Sequence, residues 1–206
     1  MVKFEQTCRS DYVYANYDEH PDPSHRPMYL KRVVRCLRDH GSITTILDAG
    51  CGGGDFAEGM YKEGFGVFGI DLSESAVRAA QERACGVFKV GSIYDDLCAP
   101  FGLKAFDAVV AVETIEHLYS PRLFVKRVND ALRPNGIFIV TTPYWGYFKN
   151  IALAVTNRTD SALTALWEGG HIKHWSRRTL TELMTEQRFE LIAFEGCGKG
   201  VRDWVP

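Results

Sequence analysis

The sequence lacks the features that mark membrane, secreted and metal-stapled proteins. None of its six cysteines forms a C-x-x-C pair, and their spacing fits neither a zinc finger nor a disulfide framework. No uncharged apolar run reaches the ~18 residues of a membrane span. The N-terminus carries Lys3, Glu5 and Arg9 where a signal peptide has an apolar core. We therefore expect a cytoplasmic protein with reduced thiols and no membrane span.

The chain also has little excess charge of either sign. Its 206 residues include 24 Lys and Arg against 26 Asp and Glu, a net charge of −2. This balance does not favour a nucleic-acid partner, although a local basic patch stays an alternative. With 46% hydrophobic residues, the composition predicts an ordinary globular domain.

Apolar runs alternate with helical patterns along most of the chain. Strands are predicted at 43–47, 67–70, 87–90, 106–112, 137–141 and 189–194, and helices at 28–39, 56–62, 73–83, 121–132 and 176–187. Such alternation gives right-handed crossovers and a sheet covered on both faces. We predict a Rossmann-like, doubly wound α/β fold whose mainly parallel sheet has six to seven strands.

We expect a single domain over residues 1–206, divided into four segments. These are an N-terminal arm (1–27), a core (28–143), an aromatic insertion on the substrate side (144–175), and the last helix and strand (176–206). The tyrosines of the arm, Tyr12, Tyr14 and Tyr17, are either a lid over the site or core aromatics of the arm.

The strongest motif is a glycine-rich loop after the first strand. Glycines stand at 50, 52, 53 and 54, between Asp48 and Asp55. In an open α/β sheet, ligands bind at the carboxyl ends of the strands, and glycines let the backbone approach them closely. Asp55 occupies the place of the third glycine of a dinucleotide loop, which disfavours a pyrophosphate and a nicotinamide-dependent oxidoreductase. The alternative is a tight strand-to-helix turn without a ligand.

Asp71 is the expected acidic partner of this loop. It ends the second strand, about twenty residues further on, where a carboxylate can accept hydrogen bonds from both ribose hydroxyls. Its alternative role is to cap the next helix, for which Ser73 is better placed.

These motifs, with Gly91-Ser92-Ile93 and the strand Phe106–Val110, resemble class I S-adenosylmethionine-dependent methyltransferases over roughly residues 30–195. The resemblance implies a donor lying across the strand ends, with its amino-acid end on Asp48 and the glycine loop, its ribose on Asp71 and its adenine between Ser92 and Ile93. The implied donor residues are Asp48, Gly50, Cys51, Gly52, Gly54, Asp71, Leu72, Ser92, Ile93 and Glu113.

An acid–histidine motif follows the fourth strand. Glu113, Glu116 and His117 have E-x-x-E-H spacing, and positions i, i+3 and i+4 share one face of a helical turn. Such a group can hold a divalent cation. Alternatively, His117 is a general base, or simply packs.

The motif is similar in two subgroups of the family. One comprises ubiquinone-biosynthesis O-methyltransferases. The other comprises small-RNA 2′-O-methyltransferases, in which a later histidine completes a metal site. That match implies Glu113, Glu116, His117 and His171 as ligands of Mg²⁺, Mn²⁺ or Zn²⁺. His117, Glu116 and His171 are the candidate catalytic residues.

The aromatic segment after the fifth strand supplies candidate acceptor contacts. Tyr144 and Trp145 stand at the rim of the expected site, with His174 further along, although aromatics there can also pack the insertion. We expect an S-adenosylmethionine-dependent O-methyltransferase that acts on a small-molecule hydroxyl, a phenol or a sugar. The alternatives are an RNA 2′-O-methyltransferase and a non-catalytic protein that binds S-adenosylmethionine.

Overall fold

A computed structural model describes residues 26–163 and 169–196. The strands are β1 (Thr45–Ala49), β2 (Gly66–Asp71), β3 (Val87–Val90), β4 (Phe106–Val112) and β5 (Leu132–Thr141). The helices are α1 (Arg26–Asp39), α2 (Asp55–Lys62), α3 (Glu74–Glu82), α4 (Pro121–Ala131), α5 (Tyr147–Val155), α6 (Thr159–Leu163) and α7 (Arg177–Glu186). Nearly all of the predicted arm, with Tyr12, Tyr14 and Tyr17, lies outside the described residues.

The five strands form one parallel sheet in the order β3-β2-β1-β4-β5. Chain order reverses at β1, whose neighbours are β2 and β4, so the carboxyl ends of these strands border a crevice. The predicted Rossmann-like architecture is confirmed. β5 begins at Leu132, earlier than expected, because a register shift lets the turn before Ile137 join its pairing with β4.

Alternate residues of the buried strands pack on opposite faces of the sheet. Ile46 and Val110 belong to a core with α1, α2 and α3. Leu47 and Val109 belong to a second core with α4 and α7. Helices therefore cover both faces, which explains why these strands are mainly apolar and do not alternate with polar residues.

The predicted sixth strand is wrong, and the described sheet has five strands rather than six to seven. Residues 189–196 have no regular secondary structure. Phe189 packs on Phe138, but Leu191 and Ile192 are 50% and 70% exposed. An apolar run of this kind needs a paired neighbour to become a strand, and the outer edge of β5 pairs with no other described residue.

The segment predicted as an insertion contains two helices, α5 and α6. Both are exposed on most of their surface, unlike the helices that cover the sheet. Within the ranges that the structure describes, none of the helices is long and apolar enough to cross a bilayer.

Candidate active site

The glycine-rich loop joins the end of β1 to α2 and has an unusual backbone. Gly50, Gly52 and Gly54 all have positive φ, at 83°, 50° and 78°. A side chain at Gly50 would begin 2.7 Å from the Thr114 hydroxyl oxygen, and one at Gly54 would begin 2.8 Å from the Ala80 Cβ. Conformation and space therefore both require glycine at these two positions.

Asp71 lies beside this loop, as predicted. One carboxylate oxygen accepts a hydrogen bond from the Gly52 N–H at 2.9 Å, and the other accepts from the Ser73 N–H at 2.9 Å. Burial raises the pKa of Asp71, and these hydrogen bonds oppose the shift. Ser73 caps α3 by accepting from the Ala76 N–H, so that capping role does not fall to Asp71.

Asp48, near the end of β1, is only 1% exposed. Burial, and then the charge of Asp71, raise its pKa to about 7. Its Oδ2 atom has no hydrogen-bond partner in the described part of the chain. Because an unpaired buried carboxylate is unfavourable, the pair of acids suits a ligand that brings a positive charge or hydroxyl donors.

The residues expected around the adenine have different environments. Leu72 is exposed directly after β2, whereas Ile93 is buried in the second core. The hydroxyl of Ser92 accepts from the Tyr94 N–H and stabilises a turn. Their roles toward the donor stay predictions.

Asp55 has an ion-pair partner that the sequence does not indicate. Arg83, at the end of α3, pairs with both Asp55 and Glu58 on α2. The negative charge of Asp55 is therefore balanced, and repulsion by Asp55 is a weaker argument against a phosphate ligand than the sequence suggested. The argument from the glycine spacing, which differs from that of a dinucleotide loop, is unaffected.

Glu113, directly after β4, has φ of 51°, which is unusual for a residue other than glycine. Thr141, at the end of β5, holds it there. The Thr141 hydroxyl donates to Glu113 Oε1 at 2.9 Å, while the Thr141 carbonyl and hydroxyl oxygens both lie within hydrogen-bonding distance of the Glu113 N–H. Strain of this kind is typical of functional sites.

Thr114 joins the two halves of the site. Its hydroxyl lies 3.3 Å from the Ala49 carbonyl oxygen and 3.2 Å from that of Val112, and it packs against Gly50. The glycine loop and the acid–histidine motif are therefore in direct contact.

The structure brings together three of the four predicted metal ligands. One potential ligand atom each from Glu116, His117 and His171 lies within 4.8 Å of the others. His171 Nε2 is 3.9 Å from Glu116 Oε1. Glu113 is not part of this group, because the Thr141 hydroxyl donates to its carboxylate.

Glu116 is 1% exposed, and neither of its carboxylate oxygens has a hydrogen bond of standard geometry within the described ranges. Burial and the charge of Glu113 raise its pKa to about 8. The nearby Thr142 hydroxyl opposes this shift, although it forms no regular hydrogen bond with the carboxylate. A buried, unsatisfied carboxylate beside two imidazoles is the arrangement that a cation would stabilise.

Both histidines of the group are neutral at pH 7. Burial lowers the pKa of His117. Burial, followed by the charges of His117, His174 and Lys149, lowers that of His171 to about 4. His117 Nδ1 lies 2.9 Å from the Gly169 carbonyl oxygen, so Nδ1 carries the proton in that contact and the lone pair is on Nε2.

The loop that carries His171 is fastened to the acid–histidine motif through its backbone. The N–H groups of Ile172 and Lys173 both donate to the Glu116 carbonyl oxygen at 2.9 Å. Further along, the Trp145 N–H donates to the Trp175 carbonyl oxygen at 2.9 Å. These bonds link the segments after β4 and β5 to the segment before α7.

Two of the three predicted acceptor residues contact each other. The rings of Trp145 and His174 have centroids 4.2 Å apart, and Lys149 Nζ is 4.2 Å from the centroid of Trp145. Tyr144 is exposed, and its ring contacts Phe194 instead.

No sequence pattern indicated a role for Thr141, Lys149 or Arg83. Thr141 was detectable because it ends a strand beside β4, where site residues gather. Lys149 follows the aromatic segment by one turn of helix, which is a weak signal. Arg83 contacts the loop only because α3 packs against it, so no local signal was available.

Comparison with known proteins identifies the family. Residues 22–193 match the model of a family described as a methyltransferase domain. The ubiquinone biosynthesis O-methyltransferase of Bradyrhizobium diazoefficiens is 31% identical over 161 residues, covering 76% of this chain and 60% of that protein. The one from Idiomarina loihiensis is 34% identical over 133 residues, covering 59% of this chain and 54% of the relative. This chain thus spans less than two thirds of the length of either.

Solved structures share the fold at lower identity. A magnesium protoporphyrin IX methyltransferase from Synechocystis, with bound S-adenosylhomocysteine, has a TM-score of 0.60 and 16% identity, covering 79% of this chain and 72% of that one. An amino pentose methyltransferase from Micromonospora echinaspora has a TM-score of 0.52 and 24% identity, covering 60% and 53%. The glycine loop and Asp71 after β2 fit the family that the match over residues 22–193 indicates. The chain belongs to the class I S-adenosylmethionine-dependent methyltransferase family.

Proposed function

We propose that this chain transfers a methyl group from S-adenosylmethionine to a hydroxyl oxygen of a small molecule, a phenol or a sugar. The observation that carries the proposal is the contact between the glycine loop and the Glu116, His117 and His171 group, made through Thr114. The names of the relatives, which are O-methyltransferases, support oxygen as the acceptor atom.

On the donor side, the chain needs only to bind and orient. Asp71 would accept from the ribose hydroxyls, while Asp48 and the glycine loop would receive the amino-acid end. Leu72, Ser92 and Ile93 would border the adenine. When bound, the donor supplies a methyl group already activated by a sulfonium, so the protein need not provide a nucleophile.

On the acceptor side, the hydroxyl must lose its proton. His117 is suited to take it, because it is neutral at pH 7 and its contact with the Gly169 carbonyl leaves the lone pair on Nε2. Trp145, His174 and Tyr144 would border the acceptor, with residues 144–175 as the substrate side of a single domain.

As the alternative to His117 as the base, we propose that Glu116, His117 and His171 hold a divalent cation, Mg²⁺, Mn²⁺ or Zn²⁺; His117 would then bind the cation and not take the proton. The fit rests on the unsatisfied, buried carboxylate of Glu116 and on two neutral imidazoles within reach of it. Such a cation, when bound, would lower the pKa of the acceptor hydroxyl. Glu113 as a fourth ligand stays a prediction, because that carboxylate contacts Thr141.

The proposed setting is the cytoplasm, in agreement with the thiols. The four cysteines in the described ranges, Cys36, Cys51, Cys85 and Cys98, are all free. A reducing compartment keeps them so.

The test of the function is formation of S-adenosylhomocysteine by the purified chain, with phenols, sugars, amines and a short RNA as acceptors. We expect turnover with a hydroxyl compound, and mass spectrometry should locate the methyl group on oxygen. Turnover with amines alone, or with RNA alone and strong salt dependence, would contradict the small-molecule assignment. Donor binding without turnover of any acceptor would favour the non-catalytic alternative.

The test of the cation has a readout that does not depend on activity. Calorimetric titration with Mn²⁺ should show binding that Glu116→Gln and His171→Ala remove and that His40→Ala, at the opposite end of the sheet, leaves intact. Chelation should abolish turnover, and the cation should restore it. Turnover that resists chelation would leave His117 to act as the base without a cation.

A further inference from the structure

Arg83, at the end of α3, is hydrogen-bonded to the backbone of the glycine loop. Its Nε atom donates to the Gly53 carbonyl oxygen at 2.7 Å. Its Nη1 atom donates to Glu58 at 2.6 Å, and its Nη2 atom donates to Asp55. One guanidinium therefore joins the loop, the start of α2 and the end of α3.

The packing around Arg83 makes this contact close. A Cβ built on Gly54 would lie 2.8 Å from the Cβ of Ala80 and 3.4 Å from the Cδ of Arg83. The last turn of α3 thus lies directly against the loop. Because Gly53 stands between two glycines of positive φ, an external hydrogen bond to its carbonyl limits a segment that would otherwise have wide conformational freedom.

The charges around Arg83 keep it in place. Asp55 and Glu58 pair with the guanidinium, and Lys62 pairs with Glu58 from the other side. The side chain of Arg83 is 33% exposed, so water screens these pairs less than it screens the pair of Arg78 with Glu74 on the same helix, where the arginine is 75% exposed.

We propose that Arg83 is a positioning residue for the methyl donor, which keeps the glycine loop in the shape that receives the amino-acid end of S-adenosylmethionine. The inference rests on the proposed function, because it assumes that this donor binds the loop. Arg83 reaches the loop through the Gly53 carbonyl oxygen and is paired with Asp55 and Glu58 on α2, so we assign it an indirect role, through the shape of the loop. Its influence should be largest at the amino-acid end, since Asp71 is also held by the Ser73 N–H, which lies outside the loop.

The two ends of the donor can be tested separately with two nucleosides. S-adenosylhomocysteine carries the amino-acid end, whereas 5′-methylthioadenosine lacks it and keeps the adenosine. Calorimetry would compare both probes on the wild type, Arg83→Met, Arg83→Lys and the control Arg78→Met. Thermal unfolding of each variant would report stability.

We expect Arg83→Met to weaken S-adenosylhomocysteine about tenfold, the effect of losing one charge-assisted hydrogen bond. Binding of 5′-methylthioadenosine should change by less than about twofold. Arg83→Lys should recover part of the loss, because an ammonium reaches one acceptor but not three. Arg78→Met should bind both probes as the wild type does.

Two results would overturn the inference. One is unchanged affinity of Arg83→Met for S-adenosylhomocysteine, and the other is an equal loss of both probes, which would indicate general destabilisation. If Arg83→Met does not fold, the same comparison is made with Arg83→Lys and Asp55→Asn: the loss of affinity for S-adenosylhomocysteine should exceed the loss for 5′-methylthioadenosine. A wild type that binds neither nucleoside would instead contradict the proposed function, so the two failures are distinguishable.

Discussion

The proposed donor side of the site (residues 48–54 and 71–73) and the proposed acceptor side (113–117, 144–149 and 169–175) are built differently. The donor side follows two adjacent, buried strands, and Asp71 is held there by hydrogen bonds from the Gly52 and Ser73 N–H groups. The acceptor side is assembled from segments after β4, after β5 and before α7, and backbone hydrogen bonds join them. Binding of the donor and choice of the acceptor should therefore respond separately to mutation.

His117→Ala should give the largest separation of the two sides. Loss of a general base reduces turnover by about 10²–10⁴-fold, whereas donor affinity should stay as in the wild type because His117 belongs to the acceptor side. Turnover assays and calorimetry with S-adenosylhomocysteine would measure the two effects. His40→Ala is the control, and a parallel loss of donor affinity would contradict the separation.

Asp71→Ala should affect the donor side by tens-fold. The carboxylate is placed to accept charge-assisted hydrogen bonds from the donor, and their loss should cost roughly 1.5–3 kcal/mol of binding free energy. It also accepts hydrogen bonds from the Gly52 and Ser73 N–H groups. Calorimetry would measure the donor Kd. Asp130→Ala, which removes an exposed partner of Lys126 on α4, is the matched control. Unchanged donor affinity would refute the ribose assignment.

Donor affinity should depend on pH through Asp48. Its pKa is about 7, and only the ionised form attracts the donor's ammonium group, so affinity should fall about tenfold between pH 8 and pH 6. The facing groups are Asp71 and Cys51, whose thiol stays protonated because burial raises its pKa. Asp48→Asn should flatten this profile in calorimetric titrations.

Asp48→Asn should also increase the stability of the ligand-free protein. Because the pKa of Asp48 is raised on folding, stability falls as pH rises from the ordinary value near 4 to about 7; the penalty is complete above pH 7 and absent below pH 4. Asp48→Asn should therefore raise the Tm of the ligand-free protein at pH 8 and raise it less at pH 5. A pH-independent donor Kd in the wild type would remove Asp48 from the donor site.

Thr141→Val should have the smallest effect, confined to the acceptor side. It leaves the strained Glu113 without its hydroxyl contact, and the unfolding free energy should fall by about 1–3 kcal/mol. Turnover should fall several-fold while donor affinity holds. Thermal unfolding and kinetics would check this against Thr156→Val, whose hydroxyl donates to carbonyl oxygens of the preceding helix α5. A loss in donor affinity would show that strain at Glu113 reaches the loop.

The sequence was most informative where local rules decide the structure. Gly50 and Gly54 sit at positions that only glycine fits, and Asp71 ends a strand that alternation alone predicted. Both signals are contained in a few neighbouring residues, which is why the donor side was recognised with its fold.

Elsewhere the outcome depended on distant partners. The apolar run 189–194 has the composition of a strand but lacks a described neighbour to pair with. Glu113 has the spacing of a metal ligand, and its carboxylate accepts a hydrogen bond from Thr141, 28 residues away. Arg83 reaches Gly53 across 30 residues. Spacing in sequence could not resolve which of these contacts forms.

The two hydrogen bonds from Ile172 and Lys173 to the Glu116 carbonyl have a practical meaning for redesign. They fix the course of the chain past the Glu116, His117 and His171 group without using any side chain. Position 174, which the proposed cation site does not use, can therefore be varied in a library while the main chain keeps its path, which makes it the natural place to search for altered acceptor preference.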